Sequence, residues 1–449
     1  MENQNILEVK LKYIVRSFLE QVKGENIEII SHFDTDGITS ASIMIQTLKK
    51  LDQQFSLKII KSLTKETIDS LDKNKVIVFL DLASNSLGYI KEANLKKVYI
   101  IDHHEVEEEI PNNVEIINPQ LWDKEKISSS GLTYLFAKEI DEKNKDLAKL
   151  AILGMIGDQL EKDIDKLNNG ILEDGNIQRK RGLLIFPSTR PLNRVLEYSS
   201  DPFIPGVTGD IKGVLELLRE AGLNPEGGKY KSLIELNDDE MERLVTSIIL
   251  RNPKKKNKEI IGDLFLIKLY GKLEDARELS AKINACSRDG KPEVAIGLCL
   301  ENQEAKKKAE AIHVKYKQTL ISGIKFAQDS EKIVGEGFVI INAKKNIKDT
   351  MIGTVTSILA NSPAYEKGTI IISMAEDDEN QMIKISGRNV GRSGRNVREL
   401  LSNIMIHFNG EVGGHEFAAG CSIPLEKEEE FISKIKENFE LEVVKIASN

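Results

Sequence analysis

A segment near the N-terminus combines histidine and aspartate in an alternating pattern. It reads HFDTDG (32–37) and follows the apolar run IEIIS (27–31). Side chains alternate on an extended strand, so His32, Asp34 and Asp36 share one side if the backbone stays extended. Gly37 permits a sharp entry into a helix, whose N-terminal amides suit a phosphate. Capping of that helix is the competing interpretation, but it accounts for one aspartate and not for the histidine. The segment therefore predicts three metal ligands.

Further acidic positions directly follow apolar segments. Asp81 follows VIVFL (76–80), Asp102-His103-His104 follows VYII (98–101), and Asp158 follows LAILGMIG (150–157). A carboxylate at the end of a buried strand must be hydrogen-bonded, cap a helix or bind a metal, because unpaired burial is costly. Taken alone, Asp81 and Asp158 also fit simple helix caps or ends. Of the two adjacent histidines, one is expected to bind metal and the other to reach substrate.

Together these positions predict a centre of two divalent ions. Three strands each deliver aspartate or histidine to the carboxyl edge of a sheet, where open α/β folds bind ligands. Carboxylates with a few imidazoles suit Mn²⁺ or Mg²⁺, and the three cysteines, at 286, 299 and 421, form neither a zinc nor a disulfide pattern. Two such ions, about 3.5–4 Å apart, activate water at a phosphoryl centre. The predicted reaction is phosphoester hydrolysis, with Mn²⁺ favoured and Mg²⁺ the alternative.

Two glycine-punctuated segments in the C-terminal part predict phosphate binding. One is GGHEFAAG (413–420), where Gly413 and Gly414 let the backbone approach a phosphate and His415 can donate a hydrogen bond to it. The other, ISGRNVGRSGRNVR (385–398), is the strongest local basic patch, and a charged loop and helix face is the competing interpretation. Its arginines are Arg388, Arg392, Arg395 and Arg398.

The elements that must position these residues indicate two α/β domains. Residues 1–165 alternate apolar runs with amphipathic stretches, the rhythm of βαβ units in a parallel sheet. Residues 166–260 are predicted to form a mainly helical insertion and connector, and residues 261–449 a second, smaller α/β domain. The strand candidates of that domain are LFLIKL (264–269), EVAIGLCL (293–300), GFVIIN (337–342), GTIIISM (368–374) and MIKIS (382–386).

Composition limits the possible environments and partners. No apolar run approaches the roughly 20 residues that cross a bilayer, and the N-terminus MENQNILEVKLKYIV lacks the features of a secretory signal. These features predict a cytoplasmic protein without a membrane partner. A formal net charge of −8 argues against a surface broadly coated with phosphate-binding lysines, so any nucleic-acid contact should be local.

The motifs, taken in order, resemble the DHH phosphoesterase superfamily. HFDTDG, Asp81, the DHH triplet at 102–104, Asp158 and GGHEFAAG match its ordered motifs over nearly the whole chain. RPLNRVLEYSSDPFIPGVTGD (190–210) and INACSRDGKPEVAIG (283–297) look most like the archaeal RecJ-like branch. The resemblance implies a DHH domain followed by a DHH-associated domain.

The resemblance also implies a role for each motif residue. One ion would be held by His32, Asp34 and Asp81, and the other by Asp36, Asp81, His103 and Asp158, with Asp81 bridging. His104 would contact the scissile phosphate while Asp102 supports the histidines. Arg388 and the GGH segment with His415 would bind the phosphate of the substrate.

The expected function is digestion of single-stranded DNA or RNA from one end to mononucleotides, the strand passing between the domains. A phosphodiesterase acting on short oligoribonucleotides or cyclic dinucleotides is one alternative. A replisome scaffold with a weak nuclease centre is another. Replication or repair proteins such as the GINS complex are the partners that the resemblance implies, and the sequence leaves the polarity of digestion and the oligomeric state open.

Overall fold

The computed structural model describes residues 6–122, 125–162, 164–199, 202–251, 260–362, 364–378, 380–408, 410 and 412–447. Residues 1–5, which entered the prediction of localisation, lie outside these ranges. The chain forms two compact units, the first made of Met1–Thr189 and Ile261–Val314 and the second of Arg190–Ile260 and Lys315–Asn449. Within the described ranges, no helix has both the length and the apolar character needed to cross a membrane.

The strands and helices alternate along most of the chain. The strands are β1 Ile27–His32, β2 Phe55–Ile60, β3 Val76–Leu80, β4 Lys97–Ile101, β5 Val114–Ile117, β6 Gln178–Leu183, β7 Ile261–Leu269, β8 Lys272–Asp275, β9 Ile333–Gly335, β10 Phe338–Asn342, β11 Ile370–Asp377, β12 Met382–Asn389, β13 Gly413–His415 and β14 Ala418–Pro424. The helices are α1 Ile6–Gln21, α2 Thr35–Lys50, α3 Lys65–Asp69, α4 Leu87–Ala93, α5 Ser129–Ile140, α6 Ala148–Gly157, α7 Lys166–Asp174, α8 Leu192–Glu197, α9 Ile211–Glu220, α10 Asp238–Arg251, α11 Ala276–Arg288, α12 Pro292–Cys299, α13 Gln303–Asp329, α14 Asp349–Ala360, α15 Val397–Met405 and α16 Glu428–Ala447.

The first unit is built on a five-stranded parallel sheet in the order β2-β1-β3-β4-β5. Successive residues of β3 face opposite cores, with Val78 in the core that contains α1 and α5 and Phe79 in the core that contains α4. Because both faces are covered, β3 is buried along its whole length, which explains its unbroken apolar sequence. Full burial of an apolar side chain such as Val78 or Phe79 stabilises the folded state by about 1.5–3 kcal/mol.

Residues 261–314 pack with the first unit, although the sequence placed them in the second domain. β7 pairs with β6 and β8 in a three-stranded antiparallel sheet, and side chains of β7 and α11 such as Phe265 and Ile283 join the core beneath α2 and α6. The predicted strand EVAIGLCL is wrong, because these residues lie mostly in helix α12. Pro292 begins that helix, and the buried positions 294, 295, 298 and 299 follow helical spacing.

The second unit is built on a mixed six-stranded sheet in the order β13-β14-β12-β11-β10-β9. β10 and β11 are parallel, and the other neighbours are antiparallel. Phe338 and Ile340 face a core with α15 and α16, whereas Val339 and Ile341 face a core with α13 and α14. Helices α8, α9 and α10 supply the rest of this unit. The predicted class of two α/β domains, the first with a parallel sheet, is confirmed.

Candidate metal centre

The predicted ligands are brought together at the carboxyl edge of the parallel sheet. His32 ends β1, Asp81 directly follows β3 and Asp102 directly follows β4. The backbone amides of Asp81 and Asp102 still donate to the neighbouring strands, to Ile101 O and Ile117 O at 3.0 and 3.1 Å. These carboxylates are therefore fixed by the sheet itself.

Two features of the backbone aim the side chains inward. Asp81 adopts a left-handed conformation with φ of 60°, which costs a residue other than glycine on the order of 1–3 kcal/mol. Asp34 caps α2 by accepting a hydrogen bond from the Gly37 amide, and the carboxylate of Asp36 lies in the first turn of the same helix. A Cβ at position 37 would lie 2.2 Å from His32 O, so the turn requires glycine.

The first group of potential ligands is His32, Asp34 and Asp81. Nδ1 of His32 lies 3.1 Å from Oδ2 of Asp34 and 3.2 Å from Oδ2 of Asp81. The ligand atoms of the three residues all lie within 4.8 Å of one another. One cation can be held by all three.

The second group is Asp36, His103 and Asp158, whose ligand atoms meet the same 4.8 Å limit. Nε2 of His103 lies 3.4 Å from Oδ2 of Asp158 and 3.5 Å from Oδ1 of Asp81. Asp81 therefore presents one oxygen to each group. Asp34 does cap α2 through Oδ1, and its other oxygen, Oδ2, faces His32.

The third potential ligand group joins Asp102 and His104 to Asp81 and His103. Oδ1 of Asp102 lies 2.7 Å from Nδ1 of His104 and accepts the backbone N–H of His103 at 2.8 Å, while Oδ2 accepts the Ser84 amide at 3.1 Å. Asn118 donates to both Ser84 Oγ and His104 O. The side chain of His104 is half exposed, so a ring fixed at Nδ1 presents Nε2 outward.

Burial and hydrogen bonding oppose each other in this group. Burial raises the pKa of Asp102, but the hydrogen bonds from His104 and Ser84, together with the charges of His103 and His104, outweigh burial and hold that pKa well below its usual range. The hydrogen bond between Asp102 and His104 raises the pKa of His104 despite burial. Asp102 is therefore an ionised partner that supports the imidazole.

Two other carboxyl groups behave in the opposite way. Burial, followed by repulsion from Asp36 and its neighbours, raises the pKa of Asp158 to about 10 and that of Asp81 well above its usual range. Burial also raises the pKa of Asp34, but the hydrogen bonds with His32 and the Gly37 amide, together with the charge of His32, lower it to about 2. Burial lowers the pKa of His32, and the hydrogen bond with Asp34, together with the charges of Asp34 and Asp36, raises it by more. The site therefore lacks positive charge around Asp81 and Asp158.

A divalent cation would supply that charge. Oδ2 of Asp158 is buried and makes no hydrogen bond with the described residues, which fits an oxygen kept for a metal. The carboxylates and imidazoles are ligand types that bind Mn²⁺ and Mg²⁺, and the free cysteines are buried.

Serines at the start of α5 support the centre, and the sequence analysis missed them. The backbone amides of Ser129 and Ser130 donate to Oδ2 and Oδ1 of Asp36 at 2.7 and 2.9 Å. The hydroxyl of Ser129 donates to Oδ1 of Asp81 at 3.0 Å. The signal was the polar run SSSG (128–131) ahead of a helix, which reads as ordinary capping.

A glycine in α6 permits the close packing of these serines. A Cβ at Gly154 would lie 2.0 Å from Ser130 Oγ and 2.3 Å from Asp36 Oδ1. In the sequence this glycine lies inside an apolar helix, where it costs about 1 kcal/mol relative to alanine. The close approach to Asp36 explains why the helix carries it.

In the second unit, Arg388 and His415 occupy the same register of the sheet. Arg388 pairs with Ala418, and Ala418 pairs with His415 on the other side. Directly paired residues point to the same face, so the two side chains emerge about 10 Å apart across the small Ala418. Gly413 and Gly414 precede His415, and a Cβ at Gly414 would lie 2.3 Å from Ala418 O. The predicted phosphate-binding residues therefore share one strip of the sheet.

The guanidinium of Arg388 is positively charged without a described carboxylate within ion-pair distance. Its Nε donates to Ser357 Oγ at 2.8 Å and its Nη1 to Gly387 O at 2.8 Å. Burial lowers its pKa. Nη2 lies 3.5 Å from a Cβ position at Gly353. Because Nη2 has no hydrogen-bond partner among the described residues, it could donate to an anion.

The other predicted arginines are placed differently. The guanidinium of Arg395 lies 4.4 Å from the ring centroid of Phe439 in α16, a cation–π contact within the second unit. Arg392 lies in a short helical turn, and its side chain is outside the described part of the structure. Arg398 is exposed on α15. Of the four arginines, Arg388 therefore has the strongest structural support for binding phosphate.

Three family models match consecutive parts of the chain. The DHH family N-terminal domain matches residues 26–155, the DHH-CID domain residues 186–260 and the DHHA1 domain residues 336–441. The segment predicted as a connector thus includes a recognised domain. The metal groups lie within or beside the first match, and Arg388 and His415 lie within the third.

Two relatives match along 92% of the chain. An uncharacterized protein of Methanocaldococcus jannaschii is 28% identical over 92% of its own length. The single-stranded-DNA-specific exonuclease RecJ of Bacillus subtilis is 24% identical, and the match spans 45% of that protein.

Solved structures show the same fold. Exonuclease RecJ bound to manganese aligns with a TM-score of 0.60 at 15% identity, covering 96% of this chain and 94% of that one. CDC45 from Entamoeba histolytica aligns with a TM-score of 0.69 at 12% identity, covering 96% and 98%.

Replacing Asp158 with asparagine should stabilise the metal-free protein. The raised pKa of Asp158 means that its contribution to stability is fully present below about pH 4 and is lost as the pH rises toward about 10. At pH 8 the folded protein must keep this carboxyl protonated although the unfolded chain ionises it, which costs on the order of a few kcal/mol, so the variant should melt roughly 3–10 °C higher in EDTA. Calorimetry between pH 5 and 9 would measure this, with the exposed Glu107→Gln as control. A lower melting temperature for the variant at pH 8 would contradict the electrostatic account.

Replacing Gly154 with alanine should damage the centre through packing. The added methyl group would force α6 away from Ser130 and Asp36, costing about 1–3 kcal/mol. We also expect weaker stabilisation by Mn²⁺. The matched control is Gly170→Ala in α7, where a Cβ meets nothing within 4 Å and helix propensity should improve stability. Equal melting temperatures for the two variants would argue against the close packing.

Proposed function

The chain belongs to the DHH superfamily, and on that basis we propose that it is a metal-dependent phosphodiesterase that digests single-stranded nucleic acid from one end to mononucleotides. The observation that carries the proposal is the convergence of two ligand groups on Asp81, which offers one oxygen to each. A pair of sites sharing a carboxylate is the arrangement that phosphoryl transfer by two metals requires.

In the proposed reaction, one set of residues would hold the metal ions and His104 would contact the substrate. His32, Asp34 and Asp81 would hold one divalent ion, and Asp36, Asp81, His103 and Asp158 would hold the other, with Mn²⁺ the favoured species and Mg²⁺ the alternative. When bound, the ions would lower the pKa of a water and neutralise charge on the phosphate. His104, fixed at Nδ1 by Asp102, would donate a hydrogen bond from Nε2 to the scissile phosphate. The left-handed Asp81 backbone would hold the shared carboxylate in place before substrate arrives.

The second unit would recognise the phosphate of the substrate. Among the described residues, Nη2 of Arg388 has no hydrogen-bond partner and the guanidinium has no carboxylate partner, so an anion would supply the opposite charge. His415 and the backbone of Gly413 and Gly414 would complete the contact from the same strip of the sheet. Arg392 and Arg395 are further proposed substrate contacts, and the guanidinium of Arg395 also stacks on Phe439.

The relatives support a nucleic-acid substrate over a small one. B. subtilis RecJ is named a single-stranded-DNA-specific exonuclease. Because the match covers 45% of that protein, we assign the same substrate class to this chain only as part of the proposal. The fold shared with CDC45 favours a second candidate function, a replication scaffold. Partners such as the GINS complex would belong with either role. The complete ligand set distinguishes the nuclease proposal from a scaffold that has lost its metals.

Strand digestion tests the proposal directly. We expect single-stranded DNA or RNA, labelled at either end, to be shortened with Mn²⁺ and to remain intact in EDTA. An Asp81→Ala, His103→Ala double variant should lose at least about 1,000-fold in rate, because it removes ligands from both groups. Hydrolysis of dinucleotides but not of long strands would favour the small-substrate phosphodiesterase, and binding of replication proteins without hydrolysis would favour the scaffold.

Replacing Arg388 with glutamine should weaken substrate binding selectively. A lost charge-assisted hydrogen bond costs about 1.5–3 kcal/mol, which corresponds to a rise in KM of about 10- to 160-fold. Arg388→Lys should recover only part of the loss, because lysine lacks the planar fork. Steady-state kinetics on an oligonucleotide would measure this, with the exposed Arg398→Gln as control. A fall in kcat alone would place Arg388 outside substrate binding.

A further inference from the structure

The orientation of the Asp81 carboxylate decides whether the two ligand groups share it. Oδ2 lies 3.2 Å from Nδ1 of His32, and Oδ1 lies 3.5 Å from Nε2 of His103. Rotation about the terminal torsion of an aspartate is soft and roughly two-fold. A carboxylate turned out of this plane would serve one group at the expense of the other. Some contact must therefore fix its plane.

Ser129 contacts one oxygen of the Asp81 carboxylate, and His32 contacts the other. Its hydroxyl donates to Oδ1 of Asp81 at 3.0 Å, and both side chains are buried. The Ser129 backbone amide simultaneously donates to Oδ2 of Asp36 at 2.7 Å. One residue thus binds carboxylates that belong to both ligand groups.

The neighbouring serines make different contacts. Ser128 Oγ accepts the Gly131 amide and so caps α5, and Ser130 Oγ donates to Ala151 O in α6. Both are buried like Ser129, but neither hydroxyl bonds a predicted metal ligand. The run of three serines therefore contains one position whose hydroxyl reaches the metal centre and two whose hydroxyls serve the helix.

We propose that Ser129 is a positioning residue of the metal centre, holding Asp81 in the orientation that lets one carboxylate serve two divalent ions. The inference rests on the proposed function, since it concerns that same centre. The start of α5 adds to the effect, because its amides and partial positive charge fix Asp36 beside the same ions.

Loss of the Ser129 hydroxyl should weaken the binding of one of the two ions more than that of the other. An isolated metal group can reorient its carboxylate freely, whereas a shared carboxylate must satisfy two groups at once. Removal of an outer hydrogen-bond partner typically weakens metal binding about 10- to 100-fold. We therefore expect Ser129→Ala to retain one Mn²⁺ site near the wild-type affinity and to weaken the other by that factor.

Titration of the full-length protein with Mn²⁺, followed by electron paramagnetic resonance, tests this independently of catalysis. The signal of unbound Mn²⁺, subtracted from the total added, gives the number of bound ions. The spin-coupled signal of a close Mn²⁺ pair reports the shared carboxylate. Ser128→Ala is the matched control. It removes a helix cap, which lowers stability by about 1 kcal/mol, and it leaves the contact with Asp81 in place. Ser129→Thr, which keeps a hydroxyl, should restore the coupled pair.

The outcomes separate this inference from the proposed function. A wild-type protein that binds no Mn²⁺ overturns the proposed metal-dependent function, and the role of Ser129 with it. Two bound ions in wild type, with Ser129→Ala unchanged or weakened no more than Ser128→Ala, overturns the role of Ser129 alone. If Ser129→Ala does not fold, Ser129→Cys replaces it: the role of Ser129 is supported where the cysteine variant loses the coupled pair and the threonine variant keeps it. It is refuted where both variants lose the pair equally.

Discussion

Repulsion among aspartate carboxylates at one edge of the parallel sheet is the interaction around which the first unit is arranged. Two unit charges about 4 Å apart repel by roughly 4 kcal/mol at the effective dielectric near a protein surface. Burial is the largest cause of the raised pKa values of Asp81 and Asp158, and this repulsion adds to it. A fold that keeps such a cluster must oppose it with contacts that do not depend on the cations.

The opposing contacts come from backbone amides, imidazoles and a serine hydroxyl rather than from described lysines or arginines. Parallel strands hold Asp81 and Asp102 through the sheet ladder, and the first amides of α5 bond both oxygens of Asp36. A lysine or arginine in their place would neutralise the carboxylates and compete with a metal. Amides orient the oxygens and leave most of their negative charge available. The absence of any described lysine or arginine ion pair with these carboxylates fits this division.

The sequence predicted the parts of the site that depend on local order. Residues that follow apolar strands must meet at one edge of a parallel sheet, so His32, Asp81 and His103 could be grouped without coordinates. Ser129 and Gly154 could not, because their importance arises from close packing between helices far apart in sequence. The same limit applies to α12, whose apolar residues fit a strand or a buried helix until packing decides. The contact of Arg395 with Phe439 could not be predicted either, because the two residues lie 44 positions apart in the chain.

The two units handle charge in complementary ways. The first unit concentrates negative charge that burial makes costly, and the second keeps a partly buried guanidinium at Arg388 without a described carboxylate partner. Divalent cations would relieve the first cost by meeting the carboxylates, and an anion such as a phosphate would relieve the second by meeting the arginine. Stability given up in each unit of the free protein is thereby available as preference for a bound ion over tight packing of the empty site.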